Sequence, residues 1–424
     1  MKIYTYPERE KWDELLKRPL LNSAEIDSAV LPIIEEVRKN GDKAVREFTR
    51  KFDKVNLLSF EVEESEFTEA EKNIDDELKS AIKIAGDNIE TFHRMQESAN
   101  KRVITSHGVD CWQKAVAIEK VGFYIPGGTA PLFSTVLMLA IPARIAGCTE
   151  TILCTPPSAN GSIHPAVLYA ARYTGIKKVF KVGGAQAIAA MAFGTPTIPK
   201  VYKIFGPGNQ YVTAAKQILS RSMVAIDMPA GPSELAVIAD ESSNASFVAA
   251  DLLSQAEHGT DSQVLLFCYT EMKANEVLAE INRQVEDLPR KDIAKAALLH
   301  SRCFILRSYD EIMGMVNEYA PEHLIISTDN AAELSGMVIN AGSVFIGHYS
   351  TESAGDYASG TNHTLPTNGY AKSYNGVNLD SFVKKITFQQ ISREGLLNIG
   401  GTIMKMAETE ALTAHKNAVA IRIK

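Results

Sequence analysis

The chain has 424 residues, of which 45% are hydrophobic and 22% are charged, and its formal net charge is −7. This length exceeds one ordinary core and predicts about two to four structural units. The acidic balance argues against a surface that wraps nucleic acid, which needs clustered Lys and Arg.

The first predicted elements are helical. Apolar residues recur at helical spacing from Ser23 to Phe52, and Asn40-Gly41 predicts a stop between two helices. Pro32 weakens the first pattern because it removes a backbone donor. The highly charged stretch 69–100 is also predicted to be helical.

From Val121 onwards, short apolar runs alternate with helical patterns. Such alternation predicts βαβ units and a mostly parallel sheet. The first series has strands at 151–158 and 179–184, followed by helices at 164–175 and 185–194. The second series begins near Ser233, with helices at 244–259 and 271–285 and with strands at 235–240, 263–270, 303–308, 322–328 and 343–348.

The C-terminal tail is predicted to contain a strand at 383–392 and a helix from Leu396 to Asn417. Gly400-Gly401 is expected to interrupt this helix, since glycine is a poor helix former.

Compartment signals point to the cytoplasm. The five cysteines are scattered without a CxxC pair, which is typical of reduced thiols rather than of a disulfide framework or a Cys-rich zinc site. The N-terminus shows no secretory signal, and Pro142 and Arg144 interrupt the most apolar stretch, 136–148.

Glycines stand at three predicted strand-to-helix turns. Such glycines let the backbone approach a ligand, and a helix N-terminus favours phosphate. None of the turns completes a GxGxxG fingerprint, because Tyr211 replaces the third glycine in the last one. Each turn alone is typical of a tight turn, whereas the three together suggest a nucleotide site. The glycines are Gly127, Gly128, Gly183, Gly184, Gly206 and Gly208.

Several of the nine histidines have polar company that suits a metal. Two His, an Asp and an amide oxygen form a set of N and O ligands that zinc accepts. These residues lie far apart and do not resemble HExxH, so their spacing leaves a metal site open. The groups are Gln255 with His258 at a helix end, Asp356 with His363 in a Gly-rich loop, and Glu410 with His415 on the terminal helix.

The pair Glu322–His323 stands just before an apolar strand. One interpretation is a helix terminus with a surface Glu and a partly buried His. The other is a general-base pair, since His titrates near neutral pH and a buried Glu can deprotonate water.

Segments that contain these residues resemble the histidinol dehydrogenase family, and the resemblance extends over nearly the whole length of the sequence. Several matching segments exceed ten residues and all come in the family's order, so the match is specific. They are GFYIPGGTAPLFSTVLMLAIPARIAGC, VGGAQAIAA, FGPGNQYVTAAK, IDMPAGPSE, LLSQAEHGTDSQ, APEHL, GDYASGTNHTLPT and LTAHKNAVA.

The resemblance implies site roles. It implies a zinc ion held by Gln255, His258, Asp356 and His415. It implies that Glu322 and His323 are the catalytic acid–base pair. Substrate contacts would come from Ser233, His363 and Glu410, together with His323 and the zinc ligands, and NAD⁺ contacts from Tyr124, Gln186 and Asn209.

The resemblance also implies an architecture: α/β, with two Rossmann-like, doubly wound parallel-sheet domains and small terminal extensions. We expect an N-terminal arm at 1–23, a first α/β domain at 24–118 plus 234–377, a second, NAD-binding domain at 119–233, and a tail at 378–424. The family implies a homodimer in which His415 reaches the zinc site of the other subunit.

The implied reaction is the four-electron oxidation of L-histidinol, through L-histidinal, to L-histidine, with two NAD⁺ and one zinc per subunit. This reaction ends histidine biosynthesis. Departures from the family pattern are few: Thr351 stands where many relatives carry Pro, and AIEKVG replaces a PIERVG-type stretch. Neither affects a residue with an assigned role.

Three alternatives remain open. A paralogue could oxidise another substrate, such as a sulfonated diol, and Ser233, His363 and Glu410 argue against it. A zinc hydrolase could use Glu322 to activate water without NAD⁺. A catalytically inactive, ligand-binding relative would be expected to lack a ligand, and none is missing.

Overall fold

The computed structural model describes residues 1–19, 23–97, 101–127, 130–229 and 231–424. Gly128 of the predicted turn lies outside these ranges. In the described part of the chain, no helix is both long and apolar enough to cross a membrane.

The described residues form strands and helices in the following chain order. The strands are β1 (Lys2–Thr5), β2 (Arg102–Ser106), β3 (Val109–Ala117), β4 (Lys120–Tyr124), β5 (Glu150–Thr155), β6 (Lys178–Lys181), β7 (Lys203–Phe205), β8 (Ala225–Ile226), β9 (Glu234–Ala239), β10 (Gln263–Cys268), β11 (Arg302–Ile305), β12 (His323–Ser327), β13 (Ser343–Ile346) and β14 (Val383–Ile391). The helices are α1 (Trp12–Leu15), α2 (Ser23–Asn40), α3 (Asp42–Phe52), α4 (Glu64–Lys72), α5 (Asp76–Arg94), α6 (Phe133–Ala146), α7 (Pro165–Thr174), α8 (Gly184–Phe193), α9 (Gln210–Ser220), α10 (Ala245–Ala256), α11 (Glu271–Gln284), α12 (Lys291–His300), α13 (Tyr309–Tyr319), α14 (Ala331–Ser335), α15 (Glu352–Tyr357), α16 (Arg393–Thr409) and α17 (Thr413–Ala420).

Two parallel sheets organise the fold, which confirms the predicted α/β class. One has five strands in the order β6-β5-β4-β7-β8, and the other has six in the order β1-β11-β10-β9-β12-β13. Every neighbouring pair in both sheets is parallel. In each sheet the chain first winds outward on one side of a central strand, β4 or β9, and then returns to the other side, as in doubly wound folds.

Each parallel sheet separates two hydrophobic cores, because successive side chains on a strand point to opposite faces. On β9, Leu235 and Val237 face α10, α11 and α12, whereas Ala236 and Ile238 face α13 and α14. All six residues of β9 and all six of β10 are buried. Burial on both faces explains why these strands are continuous apolar runs rather than alternating ones.

The packing of the N-terminal helices differs from the proposed grouping of 24–118 with 234–377. Helix α2 packs on α8 and α9, and α4 and α5 pack on α7 and α6, so these helices cover the five-stranded sheet. Their apolar stripes, including Val30 and Ile34, complete the core beside that sheet. The arm instead joins the six-stranded sheet, where β1 pairs with β11 and Trp12 enters the core. The domain boundaries themselves remain a proposal.

A third sheet, which the sequence analysis did not foresee, carries the tail. It is antiparallel, in the order β14-β3-β2, and Trp112 on β3 stacks on Phe388 of β14 at 5.4 Å. The expected interruption at Gly400-Gly401 is wrong, since α16 runs through both residues. The helix ends instead before Ala411, whose φ of 57° is left-handed. Gly400 lets Val419 of α17 pack closely against α16.

Candidate active site and cofactor cavity

The candidate active site lies at the amino edge of the six-stranded sheet. Glu322 immediately precedes β12, whose first residue is His323, and the neighbouring strand β9 begins at Glu234. Both members of the predicted pair are buried, with 7% and 4% exposure. The alternative interpretation, a surface Glu at a helix terminus, is therefore wrong.

The main chain of Glu234 contacts both members of the pair. Its N–H donates to Glu322 Oε2 at 2.9 Å, and its carbonyl oxygen lies 3.3 Å from His323 Nδ1. Because a carbonyl oxygen only accepts, His323 carries its proton on Nδ1. A neutral His323 then has its lone pair on Nε2, which lies 3.8 Å from an oxygen of Asp356.

Burial sets the protonation of the pair. Desolvation lowers the pKa of His323 to about 4, against the smaller opposing effect of the nearby Asp356 carboxylate, so the imidazole is neutral at pH 7. Desolvation also raises the pKa of Glu322 well above its usual value, and the hydrogen bond from Glu234 only partly opposes it. The site therefore has two bases whose pKa values have moved in opposite directions.

Three side chains of the types that bind metals converge beside the pair. One ligand atom from each of His258, Glu352 and Asp356 lies within 4.8 Å of the others. His258 is exposed, so the cluster opens to solvent. Asp356 lies on the short helix α15 rather than in the Gly-rich loop that the sequence suggested. His258 lies just beyond α10, where its N–H donates to Gln255 O at 3.3 Å.

Glu352 is the residue of this cluster that sequence reasoning missed. It is 1% exposed and accepts from Ser254 Oγ at 3.2 Å. The hydrogen-bonding orientation of the Gln255 amide directs its nitrogen to the Glu352 carboxylate. The available signal was the spacing from Asp356, since residues four apart share a helix face.

Two further predicted substrate residues, His363 and Ser233, lie close to the cluster and the pair. His363 Nδ1 donates to the Asp356 carbonyl oxygen at 2.9 Å, and its Nε2 lies 3.0 Å from Thr135 Oγ1. Both ring nitrogens therefore have protein partners, and Thr135 belongs to α6 of the five-stranded unit. Ser233 directly precedes β9 and is half-buried.

Two predicted residues are not brought to the site within one chain. Glu410 and His415 are both exposed, at the end of α16 and on α17. Helix α16 packs on α17 and on β2. Within the described subunit, His258, Glu352 and Asp356 converge and Gln255 contacts Glu352, whereas His415 is exposed on α17.

The three predicted cofactor residues line one cavity of about 1100 Å³. Small-molecule sites commonly enclose about 300–1,000 Å³. Tyr124 ends β4, Gln186 lies in the first turn of α8, and Asn209 is the N-cap of α9. The cavity thus lies at the carboxyl edge of the five-stranded sheet, beside the switch point between β4 and β7, where ligands bind in such sheets.

The polar atoms of this cavity differ in whether they have hydrogen-bond partners in the protein. Tyr124 Oη accepts from the Gly184 N–H at 3.0 Å, and Asn209 Oδ1 accepts from the N–H groups of Tyr211 and Val212 at 3.1 Å. Gln186 Oε1 is buried, and no donor in the described ranges reaches it.

A buried ion pair that sequence reasoning missed holds the turn at Gly206. Lys216 Nζ lies 2.5 Å from Asp227 Oδ1 and donates to Gly206 O at 2.8 Å, while Gly206 N–H donates to Asp227 Oδ2 at 2.8 Å. Gly206 has φ of 121°, and a Cβ there would collide with the Tyr124 carbonyl oxygen. This turn therefore requires glycine.

Comparisons with known proteins agree with this geometry. Residues 16–423 match the family model described as histidinol dehydrogenase. The chain is 61% identical over 423 residues to the histidinol dehydrogenase of Bacteroides thetaiotaomicron, covering 100% of this chain and 99% of the relative. It is 53% identical to the chloroplastic histidinol dehydrogenase of Arabidopsis thaliana, covering 97% and 89%. The crystal structure of histidinol dehydrogenase from Elizabethkingia anophelis matches with a TM-score of 0.98 and 53% identity, covering 100% and 98%.

Proposed function

Because the chain belongs to the histidinol dehydrogenase family, we propose that it oxidises L-histidinol through L-histidinal to L-histidine, the last steps of histidine biosynthesis. The reaction would use two NAD⁺ per substrate and one zinc ion per subunit. The observation that carries the proposal is the buried pair Glu322–His323 beside converging metal-binding side chains.

The donor set fits zinc. An imidazole, a carboxylate and an amide oxygen are ligands that zinc accepts, and His258, Asp356 and Gln255 offer them. The Gln255 amide supports this assignment, because its nitrogen donates to Glu352 and the amide therefore lies beside the cluster. Zinc held there would orient the substrate and polarise its oxygen, since it has no redox chemistry.

His323 is the base for the first oxidation. Its neutral imidazole has Nδ1–H directed to the Glu234 carbonyl and a lone pair on Nε2 facing the cluster. That nitrogen takes the alcohol proton as hydride leaves the carbinol carbon. Hydride acceptance is the chemistry that NAD⁺ supplies, and the protein supplies geometry.

Glu322 is the base for the second oxidation. Its carboxylate deprotonates the water that hydrates the aldehyde, and its raised pKa makes it a stronger base than an exposed glutamate. As the water adds, His323 returns its proton to the aldehyde oxygen, which gives the hydrate. The neutral His323 then accepts a proton from the hydrate as the second hydride leaves for NAD⁺. Keeping both bases in one buried site retains the reactive aldehyde between the steps.

The cavity lined by Tyr124, Gln186 and Asn209 is the proposed NAD⁺ site. Its volume suits a large ligand, and α8 and α9 both begin at its wall. Helix N-termini favour phosphate, which the cofactor carries. NAD⁺ bound there would favour a dehydrogenase over a zinc hydrolase, which needs no NAD⁺.

We propose that a second subunit completes the metal site with His415. Support comes from exposed apolar side chains on the tail and its sheet, including Met406, Ile421 and Ile104, which a partner would bury. Glu410 would reach the substrate in the same way.

Complementation tests this assembly. A His415→Ala subunit and a His258→Ala subunit are each expected to be inactive alone. Mixed by co-expression, they would form heterodimers with one intact site, and partial activity would return. No recovery from folded, mixed dimers would contradict the exchange of His415.

We also propose that the protein lies in the cytoplasm. All five cysteines are free, which suits a compartment that keeps thiols reduced.

The central test is NADH production from L-histidinol before metal chelation, after it, and after zinc is restored. We expect two NADH per histidinol, loss on chelation and recovery with zinc. Folded, zinc-loaded protein that produces no NADH from histidinol would overturn the proposal, and a sulfonated diol would then be the next substrate to test.

A further inference from the structure

We propose that Arg18, in the N-terminal arm, is a positioning residue for the catalytic pair Glu322–His323. This role rests on the proposed function. The Arg18 side chain is 17% exposed, and its described contacts are with the two segments that present the pair. These segments are the start of β9 and the turn that precedes β12.

The first contact is a two-point ion pair with Glu234. Arg18 Nε lies 2.5 Å from Glu234 Oε1, and Nη2 lies 2.8 Å from Oε2. Glu234 is 2% exposed, and Oε1 also accepts from the N–H of Asn368 at 2.7 Å. The main chain of the same Glu234 donates to Glu322 and accepts from His323. Fixing the Glu234 side chain therefore fixes the peptide groups that orient both bases.

The second contact is with the turn that leads into the pair. Arg18 Nη2 donates to Tyr319 O at 2.8 Å and approaches Ala320 O at 3.4 Å, and the guanidinium lies over the Tyr319 ring at 4.0 Å. Ala320 has φ of 53°, a left-handed conformation that is uncommon outside glycine. Only Pro321 separates Ala320 from Glu322, so a change in this turn would displace Glu322.

The arm has other attachments, so Arg18 is not needed merely to hold it. Strand β1 pairs with β11, and Trp12 and Leu16 are buried in the core. Arg302 Nη1 donates to Leu15 O and to Lys17 O, the latter at 3.0 Å. Among the described residues, Arg302 bonds to the arm and not to the start of β9 or the turn before β12, which makes it a matched control.

A planar guanidinium is the group that these contacts require. It donates in parallel to both oxygens of a carboxylate and still directs a further N–H to the end of α13. A lysine ammonium at the same position could not satisfy both Glu234 oxygens and the helix end. Arg18 also borders a surface cavity of about 590 Å³, through which a small cation could reach the position of its guanidinium.

The experiment compares Arg18→Ala, Arg18→Lys and Arg302→Ala with the wild type in the zinc-loaded full chain. The wild type is first assayed with histidinol and, separately, with histidinal. For Arg18→Ala we expect kcat to fall about 10²-fold in both steps, as for a small misplacement of catalytic groups, with KM for histidinol and zinc content retained. Arg18→Lys should recover part of this loss. Arg302→Ala should lower the unfolding temperature and keep kcat.

Guanidinium rescue separates positioning from folding. Millimolar guanidinium should raise kcat of Arg18→Ala, whereas urea, its neutral analogue, and guanidinium added to the wild type should have no effect. Wild-type kcat in Arg18→Ala would overturn the proposal, as would a loss that follows zinc content or that Arg302→Ala shares. If Arg18→Ala does not fold, the test is the comparison of kcat between Arg18→Lys and Arg302→Ala. A lower kcat in Arg18→Lys alone supports the positioning role, and equal values contradict it. A wild type that makes no NADH from histidinol would instead mean failure of the proposed function.

Discussion

The amino edge of the six-stranded sheet and the carboxyl edge of the five-stranded sheet are built differently. At the first, the polar atoms of Glu322 and His323 are paired with the main chain of Glu234. At the second, Gln186 Oε1 is buried without a donor among the described residues. Under the proposed function, this difference means that the protein itself orients the two bases, whereas the Gln186 amide would find its partner in the cofactor.

The largest expected effect tests the division of labour between the two bases. Glu322→Gln should lower the rate of histidinal oxidation by about 10²–10⁴-fold, because the water loses its base, while the first oxidation proceeds. NADH per histidinol should then fall from two towards one. His323→Ala is the matched variant and should impair both steps. Retention of histidinal oxidation in folded Glu322→Gln would contradict the assignment.

The next largest expected effect is on zinc binding at the cluster of His258, Glu352 and Asp356. Glu352→Gln should weaken zinc binding by about 10–100-fold, because the Gln255 amide would lose the carboxylate that orients it. The measurement is competition between the protein and a chelator of known zinc affinity. Glu276→Gln is a surface control, since Glu276 pairs with Lys273 away from the cluster. Unchanged zinc affinity in Glu352→Gln would remove Glu352 from the metal site.

The opposite pKa shifts predict different pH profiles for the two steps. Glu322, with a raised pKa, becomes protonated and stops acting as a base at a higher pH as acid is added. His323, with a pKa of about 4, remains a neutral base to lower pH. Histidinal oxidation should therefore decline at a higher pH than histidinol oxidation. Coincident acid limbs in single-turnover measurements of the two steps would argue against this assignment.

The smallest expected effect is in the cofactor cavity. Gln186→Met preserves volume but removes the amide with its unpartnered oxygen, so KM for NAD⁺ should rise by roughly threefold to tenfold, the value of one hydrogen bond. Zinc content and kcat at saturating NAD⁺ should stay near wild type. A binding isotherm for NAD⁺ checks the change directly, and an unaltered isotherm would exclude Gln186 from the site.

Local patterns predicted most of the secondary structure and failed where packing decided. The apolar run at 235–240 predicts a strand, and the structure has β9 there. The run is apolar because β9 is buried on both faces. A helix break was predicted at Gly400-Gly401, but α16 continues to Thr409. Gly400 lies against Val419 of α17, and this packing contact favours a glycine inside the helix. Neither β2 nor β3 was anticipated. Strand β3 pairs with β14, which lies about 270 residues further along the chain, and β2 joins this sheet only through β3.

By itself, the sequence determined the α/β class and the family, and it pointed to Glu322, His323, His258 and Asp356 as candidate site residues. Alternating apolar periods and long matching segments are local properties, so they are visible in one dimension. Tertiary structure alone decided that Glu352 joins His258 and Asp356, that Arg18 contacts both segments of the pair, and that His415 stays outside the site of its own chain. These relations join residues that are distant along the chain, and only the packing of the two sheets brings them within reach.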